Sequence, residues 1–149
     1  HCRKEIWDKE LIKFVLGDEI QMSDIRQYKC LMHSGKESKI LYTPGGIVAR
    51  EATRCSKVRD KIMKRGLGVV ISHGVIHLQE CLWSNPHEVK PSRFEGECKK
   101  NAYLPFGVEA RICMGQVFAR NEAILILAKI LKKYKFELEE GFVIKLLGV

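Results

Sequence analysis

The apolar positions of this chain gather into a few short periodic runs, and the most regular lies near the C-terminal end. Residues 116–133 read QVFARNEAILILAKILKK and are rich in good helix formers. Val117, Ile124, Leu127, Ala128 and Leu131 recur at helical spacing and predict one apolar side. Lys132 and Lys133 suit the negative end of that helix's dipole. Residues 4–16 (KEIWDKELIKFVL) predict another helix, striped by Ile6, Trp7, Leu11, Phe14 and Val15 and stopped at Gly17. Residues 24–41 predict a weaker helix, interrupted at Ser34-Gly35, before Pro44-Gly45-Gly46 breaks the chain. Short strands are expected at 47–52 and within the β-branched run 67–78, with a further pair at 134–138 and 142–147. Residues 54–65, 84–96 and 101–115 read as polar, turn-rich or loop segments. The fold class is α+β, mainly helical, with long irregular connections. Connections of that length in a small domain usually carry function or await a neighbour.

Composition bounds the picture. The chain has 149 residues, 46% of them hydrophobic and 30% charged, which is ordinary for one globular domain. The longest apolar run, AILILA at 123–128, is far short of a membrane span. The chain opens at His1, not Met, with no secretory signal at its start, and is expected to be a fragment or a processed product. A net charge of +8 favours acidic partners without choosing among them. Its basic residues are dispersed and lack interleaved aromatics, so a nucleic-acid partner is not expected. Six scattered cysteines with no Cys-x-x-Cys read as free thiols. The pairs Cys30/His33 and His73/His77 have ligand-like spacing, but structural zinc needs four ligands. The histidines are taken as surface or packing residues.

Cys113 has the neighbourhood that best suits chemistry. It follows a loop holding Phe106, Gly107 and Arg111 and immediately precedes the strongest helix. A sulfur there faces the positive end of the dipole, a place suited to a nucleophile, a redox sensor or a metal ligand. A buried, inert cysteine is the plain alternative.

The order of residues around it is more specific. Phe106-Gly-Val-Glu-Ala-Arg-Ile-Cys-Met-Gly115 resembles the haem-binding loop of the cytochrome P450 monooxygenases, Phe-x-x-Gly-x-Arg-x-Cys-x-Gly. Four of its five fixed positions match, with the cysteine in register. Pro91-Ser92-Arg93-Phe94 is similar to the family's Pro-x-Arg-Phe element, and Arg50-Glu51-Ala52 to the strand after its K helix. His77 and Trp83 resemble residues of plant-type members. The resemblance runs from about Ile6 to the C-terminus.

It implies that residues 1–149 are the truncated C-terminal haem-binding portion of such a domain: K helix, short β hairpins, cysteine loop and L helix. It implies haem b, with iron held by the Cys113 thiolate. Phe106 would lie beside the sulfur, Arg111 and Arg50 would meet the propionates, and Gly107 and Gly115 would let the backbone approach the ring. Intact relatives would insert one atom of O2 into a small apolar organic substrate. Electrons would come from NADPH through a reductase whose acidic face meets the basic side. Residence at the endoplasmic reticulum membrane is implied by family, though this chain carries no anchor of its own.

Two positions depart from the pattern. Glu109 stands where the family has glycine, and Ile40 replaces the arginine of Glu-x-x-Arg that starts at Glu37. The first adds a Cβ and a charge at a tight turn. The second is expected to leave a buried network with Arg93 one charge short, at a typical cost of about 3–5 kcal/mol. A haem-free relic, acting at most as a protein-interaction module, is the alternative reading.

Overall fold

The computed structural model describes Ile25 and residues 28–136. The helix expected at 4–16 lies outside the described residues, as does most of the strand pair expected at the C-terminal end. Residues 134–136 carry no strand.

The first described helix, α1, spans Lys29–Leu41 without a break. The expected interruption at Ser34-Gly35 does not occur. The Gly35 carbonyl accepts both Ser38 Oγ at 3.1 Å and Lys39 Nζ at 2.7 Å. Burial of Leu31 and Ile40 on either side of Gly35 pins the helix at both ends. Thr43 Oγ1 donates to the Lys39 carbonyl at 2.8 Å, satisfying one of the groups a helix end leaves unpaired. Gly45, at φ +63°, then turns the chain.

Strands follow as two nested ribbons. β1 (Ile47–Glu51) pairs antiparallel with β4 (Gly68–Ser72), Ile47 opposite Ser72 and Glu51 opposite Gly68. Inside that excursion, β2 (Ser56–Val58) pairs with β3 (Lys61–Met63) across a turn at Arg59-Asp60. This inner hairpin falls in the polar stretch 54–65, where no strand is expected. β4 also ends earlier than the apolar run that follows it, because Ser72 Oγ accepts the Val75 N–H at 3.3 Å. That contact starts a short helix, α2, over His73–His77. The last described helix, α3, spans Gln116–Lys133, the residues its sequence predicts. Of its expected stripe, Ile124 and Ala128 are buried and Leu131 packs against them, while Val117 and Leu127 stay exposed.

Two apolar clusters hold these elements. Ile25, Tyr28 and Leu31 pack on Ile124 and Ala128, joining α1 to α3. Ile40, Trp83, Phe94 and Ala102 form the other, joining α1 to the chain that leads to the cysteine loop. The Trp83 and Phe94 ring centroids lie 5.7 Å apart, tilted, and Phe94 meets Tyr103 edge-on at 5.1 Å.

Beside the second cluster sits a buried ion pair. Arg93 Nε donates to Glu37 Oε2 at 2.9 Å, and Glu37 is 1% exposed. Glu37 Oε1 also accepts the Lys90 N–H at 2.8 Å. Arg93 donates further to the carbonyls of Ser84, Asn85 and Glu88. The pair is complete with two members, which corrects the expectation of a network left short by Ile40. Ile40 is itself 1% exposed and belongs to the apolar cluster. The position serves packing here.

Candidate functional site

Residues 101–115 form one loop that delivers Cys113 to the start of α3. Its entry is anchored on the second cluster. Ala102 is fully buried, and its carbonyl accepts Trp83 Nε1 at 3.3 Å. Leu104 N–H donates to His77 Nε2 at 2.8 Å, and the other ring nitrogen of His77 lies 2.8 Å from Thr43 Oγ1. His77 is 0% exposed, and burial pushes its pKa below the ordinary histidine range, with His73 beside it acting the same way. Since Nε2 accepts from a backbone N–H, it carries no proton. The proton is then on Nδ1, donated to Thr43, whose hydroxyl passes its own to Lys39 O. Sequence reading left His77 among the surface or packing histidines, and the structure makes it the peg that holds the loop's entry.

The loop's tip closes on itself. The Cys113 N–H donates to the Phe106 carbonyl at 2.8 Å, and Gly107 N–H to the Leu104 carbonyl at 3.2 Å. Gly107 takes φ +76°, and Glu109 takes φ +57° at the start of a 3₁₀ turn, Glu109–Arg111. The glycine of the resembled pattern is thus needed by this backbone, and glutamate occupies it in a left-handed conformation with its side chain exposed. Arg111 is exposed at the end of that turn. The Cys113 carbonyl accepts the Gln116 N–H at 3.3 Å, which joins the loop to α3.

Cys113 is a free, exposed cysteine. A Cβ at Gly115 would stand 3.9 Å from its Sγ, so this glycine keeps one side of the sulfur clear. Ile112, Met114, Val117 and Phe118 are exposed around it, Met114 completely. An accessible cysteine sulfur beside exposed apolar side chains suits a flat apolar macrocycle that takes a thiolate ligand. Phe106, Gly107, Arg111, Cys113 and Gly115 are therefore gathered in one loop. Arg50 belongs to a separate element, β1, where it is exposed and donates to the Ala49 carbonyl. Among the described residues, no three His, Cys, Asp or Glu side chains gather to hold a metal ion.

The family model Cytochrome P450 matches residues 5–146. Cytochrome P450 4F5 of Rattus norvegicus is 31% identical over 139 residues, covering 90% of this chain and 26% of the relative. Cytochrome P450 4F12 of Homo sapiens is 31% identical over 140 residues, covering 91% and 26%. Leukotriene-B4 omega-hydroxylase 3 of Mus musculus is 31% identical over 139 residues, with 90% and 26% covered. The chain thus spans about a quarter of the length of these curated relatives. All three are animal proteins, so the plant-type expectation finds no support in them. With almost its whole length matched, this chain belongs to the cytochrome P450 family.

Proposed function

We propose that residues 1–149 form the C-terminal haem-binding segment of a haem-thiolate monooxygenase. The observation that carries this reading is Cys113: free, exposed, and set at the tip of a loop closed by its own N–H on the Phe106 carbonyl. In this reading α1 is the family's K helix, residues 101–115 its cysteine loop and α3 its L helix. Bound haem b supplies iron able to activate O2 for insertion of one oxygen atom into a small apolar organic substrate.

The chain's own residues do the holding. Cys113 would hold the iron through its sulfur, as a thiolate, the form of cysteine that ligates metals. The Cys113–Phe106 backbone bond fixes the approach of the sulfur, as an outer hydrogen bond does at a metal site. The exposed side chains of Ile112, Met114 and Phe118 would cover apolar ring surface and keep water from it. Gly107 and Gly115 allow close backbone approach. Arg111, in the loop, and Arg50, on β1, would meet the propionates. Electrons come from NADPH through a reductase that docks its acidic face on the basic side of the chain. Residence at the endoplasmic reticulum membrane follows the family. Among the described residues, no helix is long and apolar enough to cross a membrane.

Glu109 supports a second reading, a haem-free relic that serves at most as a protein-interaction module. Its φ of +57° sets a cost on the loop that the family's glycine avoids. One experiment separates the two. The chain is mixed with haemin, reduced with dithionite and exposed to carbon monoxide. A red-shifted Soret band of the thiolate-ligated type, lost in Cys113→Ala, supports the haem reading. A free-haem spectrum, or one indifferent to Cys113→Ala, leaves the relic.

A further inference from the structure

Behind the loop, on a side that Cys113 does not line, lies a cavity of about 420 Å³ between α1, residues 103–108 and α3. Its size is that of a small-molecule pocket. Met32, Phe106 and Leu127 give it apolar walls. Three cations, Lys36, Lys39 and Arg120, also line it, and among the described residues no Asp or Glu does. Glu37, the carboxylate on the same helix, is spent on Arg93. Among the described residues, Lys36 and Lys39 meet uncharged partners. Lys36 Nζ lies 5.2 Å from the Phe94 ring centroid, and Lys39 Nζ donates to the Gly35 carbonyl. Burial, and then repulsion from Arg120, lower the pKa of Lys39, so two like charges face a void with no anion between them. An anionic head would relieve that repulsion, and an apolar body would cover the walls.

We propose that this cavity, which shares Phe106, Gly107 and Ile112 with the Cys113 loop but is not lined by Cys113 itself, binds an amphiphilic carboxylate, an aliphatic chain with one anionic head. The head sits among Lys36, Lys39 and Arg120, and the chain lies along Met32, Phe106 and Leu127. Neither haem nor the monooxygenase reading is required.

Isothermal titration of the 149-residue chain with decanoate, decanol and decyltrimethylammonium tests it. Decanoate should bind about ten-fold tighter than decanol, the margin of one charge-assisted hydrogen bond, and the ammonium should not bind. Arg120 is exposed, so Arg120→Gln leaves the fold intact. It should weaken decanoate several-fold and leave decanol unchanged. Equal affinity for acid and alcohol, no binding of decanoate, or decanoate binding indifferent to Arg120→Gln overturns the proposal. Leu127→Trp fills the cavity and should abolish binding. Retained decanoate binding in that variant, with helical circular dichroism intact, places the anion elsewhere and also overturns it.

Discussion

Lowering the pH below about 6.5 should destabilise this protein through His77. Both ring nitrogens are committed, one to the Leu104 N–H and one to Thr43. A second proton would set two donors against each other at Leu104 and place a charge where no solvent reaches. Folding therefore holds the His77 pKa below its ordinary value, chiefly by burial. In the unfolded chain the ring titrates near about 6.5, so as pH falls the unfolded state takes up the proton first. The stability from a neutral His77 is fully present above that pH and is lost as pH falls toward the folded-state pKa. The slope is bounded at about 1.4 kcal/mol per pH unit, reached between the unfolded and folded pKa values. Over one unit that is a sizeable share of the about 5–15 kcal/mol typical of a domain. The control is His77→Gln, whose amide can accept from Leu104 and donate to Thr43 without titrating. Urea midpoints from pH 7.5 to 5 compare the two proteins. The carboxylates and remaining histidines are common to both and cancel. The wild type should fall more steeply, by up to about 1.4 kcal/mol per unit. Parallel slopes would refute the assigned tautomer and the buried neutral ring together.

Other substitutions probe neighbouring claims. Glu109→Gly should raise thermal stability by up to about 1 kcal/mol, the left-handed penalty less glycine's own entropy, and should tighten haemin binding in a titration. Arg93→Met strands the Glu37 carboxylate in the interior and should cost about 3–5 kcal/mol in urea unfolding; a loss under about 1 kcal/mol would mean the pair is not buried in solution. Trp83→Phe leaves the Ala102 carbonyl without its indole donor and should cost about 1 kcal/mol by the same assay. Cys113→Ala, at an exposed position, should change urea stability by less than about 0.5 kcal/mol while removing the thiolate-type Soret band.

What the sequence made legible was local. The limits of α3 can be read because Gly115 precedes a run of helix formers that ends in Lys132 and Lys133. β1 is found to within a residue because a Pro-Gly-Gly break sets its start. The β2–β3 hairpin escaped notice because Val58 and Ile62 are exposed, so no buried face writes an alternating pattern. α2 was hidden in an apolar run, although Ser72 offered a capping signal. The cysteine loop is legible as a motif because its parts lie within ten residues of each other. Contacts across the chain are another matter. Glu37 and Arg93 are 56 residues apart, and only the family resemblance joined them. Nothing in the sequence marks His77 as fully buried or Ile40 as core.

Helix α1 has a consequence for how the molecule comes apart. It supplies Leu31 to one apolar cluster and Ile40 to the other, so it is a shaft between two cores. Gly35 sits between those residues, and a mid-helix glycine is about 1 kcal/mol weaker than alanine. Cooperativity between the cores passes through the softest point of the shaft. Unfolding should then depart from a single all-or-none step, with a calorimetric enthalpy larger than the van't Hoff value. A Cβ at Gly35 would meet only the tip of Lys39, at 4.0 Å, so alanine fits there. Stiffening that one residue would make two loosely coupled halves melt as one.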